Sequence, residues 1–513
     1  MALKELAKDR IEKLREYIEK YGNPFLEKRF EKTLSTKEFR EKYSNLKEEE
    51  EGNEIEKLAG RILSIRRHGK IAFADLWDEK GRLQIVFRAD VTEKFDDLEL
   101  LERGDILGVE GIAYRTKRGE ISLLAKSWKM LAKAIRPIPD QWYGVKDVER
   151  RYRERYLDLI LNPQEREIFI KIHKITQEIR KILIEKGFVE VYTPILQPVY
   201  GGAFARPFKT FFHALKEERY LRIAPELYLK RLLVGGFEKV FEFAPCFRNE
   251  GIDAQHNPEF VQIELYWAYA DFNDIMDLVE ELFTRVVQKI HGSLKIEYQG
   301  KTIDFSRPWK RIRIEDAIKE YGNVDVSKMS EEELRKFAKE LGIEAERRGE
   351  IIEKLFDHFA RDKLINPTFV THFPADITPL AKKAQDSPEH AERFELYIAG
   401  MEVCNAYTEL NNPVEQYLRF KEEEELRAKI NKEDFEFMPM DKDYVRALEY
   451  GMPPAGGLGI GLWRLFMILC NKPSLKEIIL FPDLAKESKI ELVTELFPEL
   501  KELLCSEENR RSV

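Results

Sequence analysis

The first 46 residues carry apolar side chains at a helical spacing within a strongly charged segment. The apolar positions that recur with a period close to 3.6 residues are Leu6, Ile11, Leu14, Tyr17 and Ile18. They predict a helix whose apolar face covers a neighbouring domain, and a basic arm that contacts RNA is the alternative. Since the charged run at residues 47–54 predicts a linker, we expect residues 1–54 to form a helical extension.

From residue 55 the helical period gives way to short alternating runs, separated by turn sequences such as HGK and DEKG. Several short strands within about 80 residues predict a small antiparallel barrel over residues 55–145, and the OB-fold is the obvious candidate. Basic residues at positions 66–70 lie near Phe73. Such a combination is typical of single-stranded nucleic-acid binding, although Phe73 alone fits a core position equally well.

After the proline-rich boundary RPIPDQWYG, helical and strand patterns alternate. Residues 162–187 predict one helix that begins near a proline and ends at a glycine. Strand patterns then return in FVEVYTPIL, RYLRIAP, KVFEFAPCFRN, EFVQIELYWAYA and RFELYIAGMEVCNAYTEL. A charge-rich helical insertion is expected near residues 313–362. We therefore expect residues 146–513 to form one α+β domain.

Composition limits the classes of function. A chain of 513 residues is expected to hold two or three domains, and its net charge of −8 argues against a generic nucleic-acid binder. The excess of Lys and Glu fits a heat-adapted source or many solvated helices. Four widely spaced cysteines argue against a zinc site or a disulfide framework, and they fit a reducing cytosol. The N-terminus shows no signal peptide and the chain no membrane span.

Two segments carry candidate phosphate and metal chemistry. FRNEGIDAQHNPEF predicts a hairpin in which Arg248 can hold a phosphate and Phe260 offers a ring face to a base; a surface salt bridge explains it equally well. Further on, Glu395 and Glu402 flank a turn predicted at residues 399–400. Converging carboxylates suit Mg²⁺ with polyphosphate oxygens, and a solvated hairpin edge is the alternative.

Glycines mark two further segments, GGAFARPF and GLGIGLWRLFM. In the first, two glycines allow a ligand close to the backbone, and an ordinary loop is the alternative. The second lacks the GK[ST] ending of a P-loop and the context of a dinucleotide fingerprint.

Together, in this order, these segments resemble class II aminoacyl-tRNA synthetases of subclass IIb. GFVEVYTPIL, with Pro194, is similar to motif 1, FRNEGIDAQHNPEF to motif 2 and GLGIGLWR to motif 3. GGAFARPF, RIAPELYLKRLLVGGFEKVFEF and EVCNAYTELNNP narrow the resemblance to the lysyl-tRNA synthetases, from about residue 10 to about residue 482. The resemblance implies an N-terminal OB-fold barrel and a catalytic domain on a mixed, largely antiparallel sheet flanked by helices.

The resemblance implies ATP-dependent activation of L-lysine to lysyl-adenylate and transfer to the 3′ end of tRNA(Lys). The implied ATP-binding residues are Arg248, Glu250, His256, Phe260, Glu395 and Arg464, with Arg248 and Arg464 as the catalytic pair. The implied lysine-binding residues are Gly202, Glu226, Arg248, Glu264, Tyr266, Asn405, Tyr407 and Glu409. In that assignment Glu409 and Tyr266 bind the ε-ammonium of the substrate. A substrate with a neutral side chain would leave the Glu409 carboxylate desolvated and unpaired.

Further expectations follow from the resemblance. Glu395 and Glu402 match the ligands of a Mg²⁺ bound with ATP. In the barrel, Phe73, Gln84 and Glu120 match residues that read the anticodon. Motif 1 implies a homodimer, and the family implies a cytoplasmic enzyme without membrane contact. Diadenosine polyphosphate synthesis is a plausible side reaction of the family.

Two positions depart from the family pattern, and three alternatives stand beside the ligase. Trp463 occupies the usual aspartate position before the motif 3 arginine, which puts the orientation of Arg464 in question, and Met401 occupies a commonly basic position. A synthetase-like RNA-binding or regulatory protein without catalysis is the main alternative. A paralogue that lysylates a protein would lack the barrel, and EVCNAYTELNNP argues against an aspartate or asparagine synthetase.

Overall fold

The computed structural model describes residues 3–139, 147–430, 438–487 and 489–505. They divide into two compact units. The first holds the described residues up to 139 and those from 485 onward, and the second holds residues 147–484. Within these ranges, no helix combines the length and the apolar character needed to cross a bilayer.

The helices, in chain order, are α1 (Leu3–Tyr21), α2 (Thr36–Lys42), α3 (Val148–Arg153), α4 (Arg155–Leu161), α5 (Glu165–Glu185), α6 (Glu226–Val234), α7 (Phe272–His291), α8 (Ile314–Gly322), α9 (Glu331–Glu340), α10 (Arg348–Phe359), α11 (Pro413–Ile430), α12 (Lys442–Glu449), α13 (Leu462–Leu469), α14 (Leu475–Ile478), α15 (Val493–Leu496) and α16 (Leu500–Cys505). Short 3₁₀ helices cover Pro24–Leu26, Asp96–Leu100, Val326–Lys328, Arg361–Lys363 and Ala375–Ile377.

The strands are β1 (Glu51–His68), β2 (Ile71–Asp78), β3 (Gly81–Arg88), β4 (Ile106–Arg115), β5 (Ile121–Ala132), β6 (Val189–Glu190), β7 (Leu196–Gln197), β8 (Lys209–Phe212), β9 (Glu217–Leu221), β10 (Lys239–Phe247), β11 (Glu259–Ala268), β12 (Lys295–Tyr298), β13 (Lys301–Asp304), β14 (Lys310–Arg313), β15 (Thr368–Thr371), β16 (Arg393–Ile398), β17 (Met401–Thr408) and β18 (Ala455–Gly461).

The first unit contains a closed barrel of the order β1-β2-β3-β5-β4. Alternate residues of β2, such as Ala72, Ala74 and Leu76, fill its core, as expected for strands with one buried face. The strand β1 begins at Glu51, inside the segment predicted as a linker, because Glu51 already pairs with Tyr114 on β4. Charged side chains there point to solvent, so the charge run did not reveal the strand.

The charged N-terminal segment forms more than one helix. The helix α1 buries four of its predicted apolar positions, whereas Leu6 is exposed. The chain leaves α1 at Gly22 and Pro24, and α2 begins after a capping box at Ser35. The apolar face of α1 packs with α15 and α16, so the C-terminal tail lies in the first unit and not, as expected, with residues 146–484.

The second unit is built on an eight-stranded sheet of the order β14-β15-β16-β17-β18-β11-β10-β6. Its strands pair antiparallel except at the two edges, where β14 pairs parallel with β15 and β6 parallel with β10. The helices α5, α7 and α13 cover one face and form the main core with it. On the opposite face, α6, α11 and α12 form a second core with Val240 and Tyr266 of the sheet.

Two local predictions differ from the structure, whereas the helical insertion expected near residues 313–362 is present as α8, α9 and α10. The helix predicted from residue 162 begins at Glu165, because Asn162 ends α4 by donating its backbone N–H to Asp158. GFVEVYTPIL is mostly irregular and contributes only the two-residue strand β6 and the start of β7 to the described structure. The helices α8, α9 and α10 pack around a core of their own beside β14 and β15.

Candidate active site

One cavity of about 440 Å³ lies on the face of the eight-stranded sheet opposite α5, α7 and α13. Fourteen of the predicted site residues line it, namely Gly202, Glu226, Arg248, Glu250, His256, Phe260, Glu264, Tyr266, Glu395, Glu402, Asn405, Tyr407, Glu409 and Arg464. They come from five separate stretches of the chain. The structure therefore brings together every residue predicted for lysine, ATP and metal binding.

Strand alternation explains why these side chains share a face. On β11, Ile263 and Leu265 enter the core, so Glu264 and Tyr266 point into the cavity. The glycine-rich segment follows the same rule, because GLGIG is an alternating strand with its leucine and isoleucine in the core and its glycines facing the site. A Cβ at Gly457 would lie 2.6 Å from Cε1 of Tyr266 and would collide with Glu409. The glycines thus leave the cavity floor open.

The entrance of the cavity holds the arginines. The guanidinium of Arg248 lies over the Phe260 ring, 5.1 Å from its centroid, and its buried Nε has no hydrogen-bond partner among the described residues. Arg464 Nη1 donates to the backbone carbonyl of Glu402 at 2.9 Å and to its Oε2 at 3.1 Å. Its Nη2 lies 3.3 Å from Nε2 of His256. This end can neutralise a polyphosphate.

The two positions that depart from the family pattern lie outside these contacts. Trp463 packs edge-on against Phe466 with centroids 5.7 Å apart, and its indole N–H finds no partner in the described part of the chain. Arg464 contacts Glu402 and His256, whereas the Trp463 indole makes no hydrogen bond to it within the described residues. Met401 is buried in the main core.

A tight hairpin carries Glu395 and Glu402. Its turn residues Ala399 and Gly400 have φ of 54° and 77°, so the turn lies where the sequence predicted it. Glu395 pairs in register with Asn405, and Glu402 with Tyr397. Burial, reinforced by the neighbouring Glu402, raises the pKa of Glu395 to about 8, and the facing Arg393 opposes the rise.

The sequence analysis missed Arg393, which lines the cavity beside this acidic pair. Its Nη2 donates to Glu395 at 2.5 Å and its Nε to Oδ1 of Asn405 at 3.1 Å. Its position two residues before Glu395 on one strand was the available signal. Among the described residues, no three side chains of metal-binding type converge as a complete metal site. Two oxygen ligands fit a hard cation that shares its shell with phosphate.

The deep end of the cavity is acidic. The hydroxyl of Tyr407 donates to Glu226 at 2.8 Å, and that of Tyr266 to Glu264 at 3.0 Å. Burial, with the Glu226 charge, raises the pKa of Glu264 to about 8. Burial also raises the pKa of Glu409 well above its ordinary value, opposed by the ion pair with Lys230.

Glu409 is fully buried; its Oε2 pairs with the ammonium of Lys230, whereas its Oε1 has no hydrogen-bond or ion-pair partner within the described structure. The free oxygen of a buried acid that lines a cavity is suited to a cationic hydrogen-bond donor from a ligand. At the opposite wall, Gly202 has φ of +87°, and a Cβ there would lie 2.9 Å from Cβ of Glu226. The backbone at Gly202 can therefore approach a ligand closely. Lys230, one helical turn after Glu226, was also missed from the sequence.

The predicted anticodon residues lie away from this cavity, on the barrel. Phe73 alternates with the core residues of β2, so its half-buried ring faces away from the barrel interior. Gln84 pairs in register with Asp75 and accepts a hydrogen bond from Ser122 at 3.0 Å. Glu120 is exposed just before β5. Phe73 and Gln84 lie on the paired strands β2 and β3, and Glu120 directly precedes β5, which pairs with β3.

Comparison with known proteins gives consistent matches along the chain. A family model described as tRNA synthetases class II (D, K and N) matches residues 147–485, and one for an OB-fold nucleic acid binding domain matches residues 57–131. A lysine–tRNA ligase of Syntrophomonas wolfei is 48% identical over 492 residues, covering 95% of this chain and 98% of that protein. A lysine–tRNA ligase of Thermotoga maritima is 48% identical over 497 residues, with coverages of 95% and 97%. Lysine–tRNA ligase 2 of Methanosarcina mazei is 47% identical over 485 residues, with coverages of 93% and 94%.

Proposed function

The chain belongs to the lysine–tRNA ligases of class II, and from this membership we propose how its side chains share the work of the reaction. The predicted family, the α+β fold with an N-terminal OB-fold, and the ligase activity are confirmed by these matches. The enzyme activates L-lysine with ATP and transfers it to tRNA(Lys). Neither Trp463 nor any other observation favours the catalytically silent alternative.

The substrate lysine occupies the deep end of the cavity in our proposal. Glu409 and Tyr266 bind its ε-ammonium, while Glu226, Glu264 and the backbone at Gly202 surround its α-amino group. Asn405 and Tyr407 flank the aliphatic stem. The observation that carries this assignment is the fully buried Glu409 carboxylate, which lines the cavity, pairs with Lys230 through Oε2 and leaves Oε1 without a partner among the described residues. The ε-ammonium of lysine can donate a charged hydrogen bond to this carboxylate, whereas a neutral substrate side chain cannot.

ATP lies towards the arginines. We assign the adenine to the face of Phe260, with Glu250 and His256 beside it, and the γ-phosphate to Arg464. Arg248 bridges the lysine carboxylate and the α-phosphate, consistent with its unpartnered Nε among the described residues. A lysine carboxylate oxygen forms a bond to the α-phosphorus, and the bond to the bridging oxygen breaks, releasing pyrophosphate. No general base is needed, because the carboxylate is already an anion, and positioning and charge neutralisation suffice.

In the transfer step, a hydroxyl at the 3′ end of tRNA attacks the lysyl carbonyl and AMP leaves. For magnesium, we assign Glu395 and Glu402, whose oxygen ligands fit the ion together with ATP phosphates. When bound, Mg²⁺ neutralises phosphate charge during adenylate formation.

We also propose that the barrel reads the anticodon through Phe73, Gln84 and Glu120, by base stacking and edge hydrogen bonds. A homodimer formed through the motif 1 region is supported by its exposed apolar side chains, which include Val189, Tyr192, Ile195 and Leu196. A cytoplasmic location fits the four free cysteines, all of which lie in the described part of the chain.

The test is amino-acid-dependent ATP–pyrophosphate exchange by the wild type and by Glu409→Gln. We expect exchange with lysine only, and a lysine KM raised by about 100-fold or more in the variant with an unchanged ATP KM, because a charged hydrogen-bonded contact is lost. The matched control is Glu422→Gln on the exposed side of α11, which should behave as wild type. Exchange that is independent of lysine, or an unchanged lysine KM in Glu409→Gln, would refute the assignment.

A further inference from the structure

Lys230 on α6 is fully buried behind the wall of the cavity and does not line it. Its Nζ lies 2.6 Å from Oε1 of Glu226 and also forms an ion pair with Glu409. Both carboxylates do line the cavity. One ammonium of the protein therefore stands directly behind the two acids that we assign to the two amines of the substrate.

Three tyrosine rings hold this ammonium in place. The distances from Nζ to the ring centroids are 5.5 Å for Tyr407, 5.9 Å for Tyr266 and 6.0 Å for Tyr444. Burial lowers the pKa of Lys230, but the facing carboxylates of Glu226 and Glu409 outweigh burial and raise it. Lys230 is thus a fixed positive charge in a cage of aromatic faces.

The charges around the two substrate amines can be counted because Arg248 is assigned to the lysine carboxylate and the α-phosphate, and the other nearby arginines are paired within the protein. Arg222 lies 2.7 Å from Glu242, and Arg231 lies 2.7 Å from Asp441. What remains beside Lys230 are the three carboxylates of Glu226, Glu264 and Glu409. With all three carboxylates ionised around the bound substrate, three negative charges against one positive charge leave two negative charges, and lysine brings two ammonium groups.

We propose that Lys230 is a specificity-determining positioning residue. It adjusts the net negative charge of the pocket so that it balances the two ammonium groups of lysine, and it holds Glu226 and Glu409 in their binding positions. This inference rests on the proposed lysine pocket. Without Lys230 the pocket has one carboxylate too many, and mutual repulsion makes one of them take up a proton. A substrate with a single ammonium group leaves a negative charge unpaired in the intact pocket.

The test is a double-mutant cycle of Lys230→Met and Glu226→Gln, with lysine and ATP KM measured by pyrophosphate exchange. In the wild-type background, we expect Lys230→Met to raise the lysine KM by about 100-fold and to leave the ATP KM unchanged. In the Glu226→Gln background one net negative charge remains and the substitution restores two, so we expect the lysine KM to fall or to rise by no more than about threefold. If Lys230 had only a structural role, its substitution would raise the lysine KM by the same factor in both backgrounds.

The proposal would be overturned if Lys230→Met raised the lysine KM by the same factor in the two backgrounds, or if Lys230→Met alone had the lysine KM of the wild type. Where Lys230→Met alone does not fold, Glu226→Gln is compared with the double variant. The proposal is supported if the lysine KM of the double variant is lower than that of Glu226→Gln or at most about threefold higher, and any larger rise overturns it. Failure of the proposed function is distinguishable, since the wild type itself would then show no lysine-dependent exchange.

Discussion

The carboxyl groups of Glu264 and Glu409 hold their protons to higher pH than solvated glutamates do, because both are buried. With a pKa of about 8 for Glu264, the ionised fraction in the empty pocket grows as pH rises towards that value. A lysine ammonium binds the ionised carboxylate and competes with the proton. We therefore expect the lysine KM to fall between about pH 6 and pH 8, measured by exchange at saturating ATP.

A Glu264→Gln variant should show a shallower dependence of lysine KM on pH, since one titrating acid is gone. A lysine KM that rises with pH over this range contradicts the prediction, because raised pKa values in the free pocket require the opposite sign.

Trp463 offers a second prediction for a single residue. Because Arg464 is held by Glu402 and His256, we expect Trp463→Asp to change the ATP KM by no more than about threefold. The same substitution removes packing against Phe466 and the main core, so the free energy of unfolding should fall by about 2 kcal/mol. Exchange kinetics and urea unfolding measure the two effects, with Trp463→Phe as the control that keeps the packing. A loss of ATP affinity at wild-type stability would show that Trp463 does orient Arg464.

Some site residues could be identified from the sequence, and others could not. Glu409 and Arg248 could be named because they belong to long motifs. Lys230 could not be interpreted from its surroundings in the chain, because its partner Glu409 comes from a distant strand end and its tyrosine cage from three separate elements. The role of Arg393 likewise depends on the pairing of β16 with β17.

At the scale of elements, the hairpin β16–β17 sets the positions of Glu395 and Glu402 through its two-residue turn. Gly400 has φ of 77°, and a Cβ there would lie 3.3 Å from the Asp362 backbone. We expect Gly400→Ala to lower the free energy of unfolding by about 1 kcal/mol or more and to raise the Mg²⁺ concentration needed for exchange. Urea unfolding and a Mg²⁺ titration check this.

The neighbouring position provides the control. Ala399 also has a left-handed backbone, with φ of 54°, so Ala399→Gly should be neutral or stabilising by up to about 1 kcal/mol. Equal destabilisation by both substitutions would mean that the turn does not define the hairpin.

Elements with strong local patterns were predictable, and elements made by distant pairing were not. The alternation in β2 and β3 and the turn between β16 and β17 were visible in the sequence, and the α+β class with its barrel is confirmed. The start of β1 at Glu51 was missed, because only pairing with β4 turns that charged run into a strand. GLGIG was not predicted as a strand, because glycine is uncommon inside strands.

At the scale of the whole molecule, we expect the two units to have separable functions, which are anticodon binding in the first unit and lysine activation in the second. Phe73 faces away from the barrel core, whereas every lysine- and ATP-binding residue proposed lies in the second unit. We expect Phe73→Ala to raise the KM for tRNA by about tenfold, since base stacking contributes about 1–3 kcal/mol, and to leave pyrophosphate exchange unchanged. Aminoacylation kinetics measure this, with Phe25→Ala, an exposed phenylalanine outside the barrel strands, as control. An equal loss in exchange would contradict the separation.

The packing of α1 against the C-terminal tail has a consequence for synthesis. Ala7, Ile11 and Leu14 share a small core with Val493, Phe497 and Leu500. Residues 7–14 are therefore synthesised long before residues 493–500, with the entire second unit made in between. The apolar face of α1 stays uncovered through that interval, and a chain that lacks residues 493–500 would leave this face permanently exposed to association with other chains.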